Sequence, residues 1–436
     1  MAFMGMRGTD DWVANQRPEN WREQILYLYP NGQAPLTAML SMLASESTDD
    51  PHFHWWTENV GSVGGDIDNI YTSADLAVAY VGGGVTGLAL YVVVALALAQ
   101  QIRAGHQLLL RDTDDYRVDV NVIVTSDPLF DGAASVLTIR LLEDDDNAPA
   151  TGVLAAHDLS DADNLLVIGN INPEGGEIPT AVHQDPTEFE SYTQIFRTAL
   201  DVTRTASKTK LRTGDDYQRM KRDALEAHSI EMEQNTFWSI LTQNVGANGK
   251  PERTTQGIIP FVRQYAPTNV DDYRLNAIYT GLTWLQGGEE WMDDRLERLF
   301  RYGSNEKMAF IGSGALLGIN RLAKSGGQIN LTPETVAYGM KVRRWITPFG
   351  DLLVKTHPLF SFQATTRNMM VILEPRNMRM RYIDDTFFKK DKSEREGGHN
   401  AIDGRKEEYL TEMGFEFHHP LTFGIMNGLN LLNIVA

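Results

Sequence analysis

The sequence predicts an α+β protein with an extended aromatic arm, a small β module and a mixed domain organised on one long helix. Three observations predict it. Residues 215–242 run for 28 positions without Gly or Pro, enough for a helix of about 42 Å at 1.5 Å per residue. Residues 85–170 hold short apolar runs broken by polar turns, as antiparallel strands with one wet face do. Beyond Asp271, helix-length and strand-length signals mix without regular alternation, the pattern of an α+β domain.

Taken in order, residues 1–60 carry Trp12, Trp21, Tyr27, Tyr29, Phe53, Trp55 and Trp56 with little periodicity. Residues 35–43 read as a short helix, with Pro35 in the first turn where a missing N–H costs nothing. An extended arm would expose its rings in an isolated subunit, at about 25 cal/mol per Å² of apolar surface. The arm therefore packs either on its own chain or on a neighbouring subunit. The uncharged stretch 76–102 includes a dense apolar run from Leu88 to Ala99, shorter than the roughly 20 residues of a membrane helix. Strand-length runs follow at 107–110, 117–125, 136–142 and 165–168. The acidic turns 112–115 and 143–146 lack the alternating ligands and turn glycine of a calcium loop, and read as solvated turns.

Residues 188–212 alternate again and carry Arg197, Arg204, Lys208, Lys210 and Arg212. They read as an exposed hairpin arm, either an edge guarded by cations or a basic strip facing the acidic surface of another copy. On the long helix, Tyr217, Met220, Ala224, Ile230, Phe237, Ile240 and Leu241 make a broad apolar stripe, the mark of a rigid spine with one buried face. The apolar run 257–262 reads as a buried strand. Residues 289–300 and 315–324 read as helices, 307–311, 369–374 and 378–382 as strands, and 344–356 as a hairpin turning at Phe349, Gly350 and Asp351. A polar loop at 389–398 precedes closing strand signals near 415–418.

Composition narrows the function. The 436 residues carry 39 Lys plus Arg against 58 Asp plus Glu, a formal charge of −19, so the field of the chain repels phosphate and argues against dedicated nucleic-acid binding. The chain has no cysteine, which removes disulfides, thiolate metal sites and cysteine nucleophiles. Residues 1–11 lack a basic start followed by an apolar core, so no secretory signal is visible and the cytoplasm is the default compartment.

Each catalytic or cofactor motif fails on context. Gly82, Gly84 and Gly87 match a dinucleotide fingerprint, but a Val-rich run and antiparallel strands follow in place of a βαβ unit. Gly249-Lys250 is followed by Pro251, which breaks the phosphate-loop pattern. The pairs His52/His54 and His418/His419 have neither helical spacing nor a third ligand nearby in sequence. Gly312-Ser313-Gly314 lacks the spacing of a nucleophile elbow and reads as a capped strand-to-helix turn. No catalytic residue, cofactor or metal is expected.

The order of elements, and a set of short segments, carry a resemblance. These are Tyr29-Pro30-Asn31-Gly32 with Ala34-Pro35-Leu36-Thr37, Gly105-His106-Gln107 with Leu109-Leu110-Arg111-Asp112, Tyr192 to Thr198, His228 to Glu233, Thr347-Pro348-Phe349-Gly350 and Thr356-His357-Pro358-Leu359. In these the chain resembles the major capsid proteins of tailed bacteriophages, which have the Hong Kong 97 type fold. The resemblance implies an N-terminal arm at 1–60, an extended loop at 61–82 and 170–212, and a β domain inserted at 83–169. It implies a peripheral domain at 213–270 and 376–436 with its spine helix at 215–242, and an axial domain at 271–375.

It further implies hexamers and pentamers closing into an icosahedral head around double-stranded DNA, held without sequence-specific binding or a membrane. A separate scaffolding protein, a portal and a decoration protein are the partners it suggests, with assembly in the host bacterial cytoplasm. Trp21, Tyr27, Tyr29, Trp55, Trp56, Arg197, Arg204, Lys208 and Arg212 are the expected intersubunit contacts. The alternatives are a secreted or surface β-rich adhesin or carbohydrate-binding protein, and, behind it, a soluble metal hydrolase.

Overall fold

The computed structural model describes residues 44–58, 63–115, 118–131, 134–146, 158–183, 185–209, 216–326, 331–337, 340–390 and 404–435. The helix expected at 35–43 lies outside them, as do Trp21, Tyr27, Tyr29 and Arg212. The α+β class is as predicted. The chain divides into two compact units, one of residues 1–57 with 188–436 and the other of residues 58–187.

The smaller unit is an antiparallel barrel. Its strands run in the order Ala89–Ala95, Gly64–Tyr71, Asn164–Asn170, His106–Arg111, Asp119–Val124, Ala134–Leu141 and Leu129–Asp131. Ala89–Ala95 also pairs with Ala134–Leu141, which closes the sheet and removes its free edges. Alternate residues point inward, so Leu90, Val92, Val94, Leu108, Leu110, Val120, Val122, Leu137, Ile139 and Leu165 are fully buried. The apolar run weighed as a membrane span is thus a barrel strand leading into the short helix Leu96–Ala99. No helix among the described residues is long and apolar enough to cross a membrane.

Two expectations change in this unit. Gly64–Tyr71, assigned to the extended loop, is a barrel strand, with a bulge between Ile67 and Asn69 that lets Ile67 and Ile70 both face inward. The acidic turns are not solvated throughout. Asp112, Asp115 and Asp146 are buried, and Asp146 accepts a 2.6 Å hydrogen bond from the Tyr80 hydroxyl.

The larger unit is built on a seven-stranded mixed sheet in the order Val270–Asp272, Gly424–Asn427, Met370–Leu373, Glu306–Ile311, Asp351–Thr356, Met340–Ile346 and Leu331–Ala337. Glu306–Ile311 runs parallel to Asp351–Thr356 and antiparallel to Met370–Leu373. Both sheet faces are covered, which is why Lys307 to Ile311 is buried at every position instead of alternating. On one face Ala309, Ile311, Leu352 and Ile372 pack with helices Trp284–Phe300 and Ser313–Gly326, through Trp291, Leu296 and Ile319. On the other, Met308, Phe310, Leu353 and Val371 meet Phe237 and the Ile258–Tyr265 helix.

That last element is a correction. Residues 257–262 were expected as a strand and instead open a helix, with Gly257 at its N-cap and Pro260 in its first turn, where no hydrogen bond is lost. Gly257 is required by close approach: its amide donates to the Ser239 carbonyl at 2.7 Å, and a Cβ there would lie 2.7 Å from the Ser239 nitrogen.

The expected hairpin at 188–212 also forms differently. Thr187–Tyr192 pairs with His52–Thr57, whereas Gln194–Thr203 pairs antiparallel with Gly404–Phe417, which pairs in turn with Met378–Lys389. Gln194–Thr203 is the edge strand of a four-stranded sheet, as one of the two sequence readings has it, and Phe196, Leu200 and Val202 on it are nevertheless buried.

The spine helix is present as Asp216–Trp238, about 34 Å long at 1.5 Å per residue. Its buried positions are His228, Met232, Glu233, Thr236 and Phe237, while Ile230 is only half-buried and Ile240 is exposed beyond its end. Ile230→Asp is accordingly expected to cost only about 1 kcal/mol in urea unfolding, in the range of partly exposed substitutions. A loss of several kcal/mol would place Ile230 in the core.

Candidate assembly interface

The subunit that the resemblance implies needs surfaces for its neighbours, so the exposed faces of the larger unit bear on assembly. Arg274 carries the loop Tyr273–Leu275, and its backbone carbonyl accepts from the Ile434 amide at 2.9 Å. The Asn433 side-chain amide donates to the Tyr273 and Asn276 carbonyls at 2.8 and 2.7 Å. These bonds lay the C-terminal segment against the 273–279 turns. Leu275, Ile278 and Ile434 around this junction are 63%, 77% and 62% exposed. Large aliphatic side chains gathered on a rigid, hydrogen-bonded surface are what an interface buries.

Two buried polar junctions brace the larger unit around the spine helix. His228 on the spine helix is hydrogen-bonded to Thr198 Oγ1 at 2.9 Å and to Thr411 Oγ1 at 2.8 Å, joining the helix to two paired strands of the four-stranded sheet, Gln194–Thr203 and Gly404–Phe417. Burial shifts this histidine toward its neutral form. Glu233, one turn further along, meets His357 Nε2 at 2.7 Å, with both side chains fully buried. Thr198, His228, Glu233 and His357 all fall in segments that carried the sequence resemblance. Thr347, in another, closes its turn by donating to the Gly350 carbonyl at 2.6 Å.

The expected contact residues divide. Trp55 is buried, its indole N–H donating to the Phe417 carbonyl at 2.9 Å and its ring stacked on Phe189. It belongs to the core of its own chain and is not a contact. Neighbouring Trp56 points the other way and is 60% exposed, as strand alternation dictates.

Arg197 pairs with Glu408 of its own chain at 2.5 Å, and Lys389 reaches the same carboxylate at 3.1 Å. It closes an intrachain cross-strand network rather than standing ready as a basic strip. Burial raises the Glu408 carboxyl, but the hydrogen bonds from Arg197 and Lys389 outweigh this and hold it below its ordinary range. Arg204 and Lys208 lie on the short exposed helix Arg204–Lys208.

Ser313 is exposed at the start of its helix, where its backbone N–H donates to Ser361 Oγ at 3.1 Å. His418 meets Glu416 at 2.5 Å, and Gly82, Gly83 and Gly87 take positive φ in a turn leading into a strand. Sequence reasoning missed Leu275, Ile278 and Ile434, because isolated aliphatic residues in irregular segments carry no periodic signal.

Comparison with known proteins decides the family, since residues 6–430 match the SU10 major capsid protein family. The chain belongs to that family. A relative from Pseudomonas phage PaMx41, a major capsid protein, is 27% identical over 298 residues, covering 64% of this chain and 69% of that one. Among solved structures, a Mycobacterium phage Cain chain aligns over 97% of both chains at 8% identity with a TM-score of 0.45. The SrpI encapsulin of Synechococcus elongatus aligns over 58% of this chain and 78% of its own at 12% identity, with a TM-score of 0.38.

This capsid protein is the major capsid protein of a tailed phage, a structural component of the virion that assembles with copies of itself into a shell. The adhesin reading is not favoured.

Proposed function

We propose that the subunit forms hexamers and pentamers that close into an icosahedral head around double-stranded DNA, and that it works without catalysis. The exposed aliphatic surface of Leu275, Ile278 and Ile434 carries this reading. Leu275 and Ile278 fall at the start of residues 271–375, assigned by resemblance to the axial domain at the capsomer centre, where copies of one chain meet around a symmetry axis, and Ile434 is held beside them by its bond to Arg274. Residues 1–60 are assigned to the arm, 170–212 with the part of 61–82 that lies outside the barrel strand Gly64–Tyr71 to the extended loop, and 213–270 with 376–436 to the peripheral domain.

Trp56, Arg204 and Lys208 remain contact assignments on their exposure, and Trp21, Tyr27, Tyr29 and Arg212 remain so on the resemblance. A net charge of −19 suits a container that must not bind its DNA to the wall. A scaffolding protein, a portal and a decoration protein are the proposed partners, and the host bacterial cytoplasm is the place of assembly. The full chain, produced alone and with the scaffolding protein, is expected to yield capsomers or shells in negative-stain electron microscopy and sedimentation. A monomer persisting in both preparations would overturn the proposal.

A further inference from the structure

His52 and His54 gain in the fold the third ligand that their sequence neighbourhood lacks. In the strand His52–Thr57 the side chains alternate, with Phe53 and Trp55 buried in the core and His52 and His54 turned out. The paired strand Thr187–Tyr192 repeats the device, with Phe189 and Ser191 inward and Glu188 and Glu190 outward. His52 Nε2 lies 2.9 Å from Glu190, and His54 Nδ1 lies 2.9 Å from Glu188. The two imidazole rings are 4.2 Å apart, and ligand atoms of His52, His54 and Glu190 all lie within 4.8 Å of one another.

We propose that His52, His54 and Glu190 bind a divalent transition-metal ion of the zinc type, with Glu188 or water as the fourth ligand. Two imidazoles with a carboxylate are a donor set that zinc accepts in tetrahedral geometry, at about 2.0–2.2 Å. Neighbouring ligand atoms then sit about 3.3 Å apart, so the widest pair closes by up to about 1.5 Å, a rotation open to solvent-facing groups on a backbone fixed by the buried rings. The site ties the strand that ends at Thr57, where the chain passes into the smaller unit, to the strand on which it returns. The ion acts as a clasp on that paired stretch.

The test uses the full-length subunit, stripped with chelator and titrated with zinc by calorimetry, with cobalt absorption reporting coordination geometry. Saturation at one ion per chain, a tetrahedral cobalt spectrum and a zinc-dependent rise in thermal midpoint are expected. Both the spectrum and the midpoint shift should vanish in His52→Ala/His54→Ala. Glu190→Gln, which keeps the side-chain shape, should bind more weakly and secures the test if the double variant does not fold. Absence of saturable binding in the unmodified chain overturns the assignment, as does unchanged stoichiometry and affinity in either folded variant.

Discussion

Replacing Glu374 with alanine is expected to destabilise the subunit by about 3–5 kcal/mol, the usual cost of leaving one charge of a buried pair without its partner. Lys307 lies on a central strand with its side chain fully buried. Its ammonium donates to Glu374 Oε2 at 3.2 Å and to the Tyr302 and Thr422 carbonyls at 3.0 and 3.2 Å, which uses all three N–H groups. Glu374 also accepts from the Ser304 amide, and Gly303 leaves the space, since a Cβ there would collide with the carboxylate. Alanine would strand an ammonium in the core with only carbonyl dipoles around it.

The pH dependence gives this prediction its sign. Burial lowers the pKa of Lys307 from its ordinary 10.5, and the Glu374 charge opposes that only in part. Between its lowered folded pKa and 10.5 the unfolded chain therefore binds more protons here than the folded one, so this group's contribution to stability rises with pH through that window. Without Glu374 the folded pKa falls further, and the rise begins at lower pH. Urea unfolding of both proteins across the alkaline range checks this. A deficit that neither shrinks with pH nor exceeds about 1 kcal/mol would mean that the pair is solvated and worth no more than a surface ion pair.

The same pair shows what the sequence could and could not disclose. Residues 307–311 are legible as a strand because their apolar density is high, but nothing local shows that Lys307 is its most buried polar member. The acceptor lies 67 residues away. The spine helix is legible from its uninterrupted run, but its inward face only in part: Phe237 is buried as expected, while Ile230 is half-buried and Ile240 exposed. An apolar count favours Ile230 and Ile240, whereas the fold buries His228 and Glu233, which hydrogen-bond to Thr198, Thr411 and His357 across long sequence separations. Local period is a property of neighbours in the chain, and polar satisfaction is a property of neighbours in space.

Trp55 and Trp56 make the point for the interface. Both are aromatic residues on an arm, and only strand register, fixed by pairing with Thr187–Tyr192, sends one into the core and the other to solvent. The 257–262 run fails for a related reason: a short apolar stretch fits a buried helix as well as a strand, and Pro260 was compatible with the first turn of a helix.

Ile278→Asp, alone or with Ile434→Asp, is expected to abolish shells while leaving the subunit folded. Ile278 is 77% exposed and Ile434 62%, and substitutions at such positions change folding stability by about 0.5 kcal/mol or less. Burying an isoleucine contributes about 1.5–3 kcal/mol, and an aspartate in its place adds the cost of desolvating a charge with no cation provided for it. A symmetric shell repeats that loss in every copy, so a change small for one subunit becomes decisive for closure. The variant should keep the thermal midpoint of the unmodified chain and sediment as subunits under conditions in which the unmodified chain forms shells. Normal shells from the doubly substituted chain would show that this aliphatic surface faces solvent in the particle, and the capsomer contact would have to be sought on the exposed ribbon around Phe387 and Lys389.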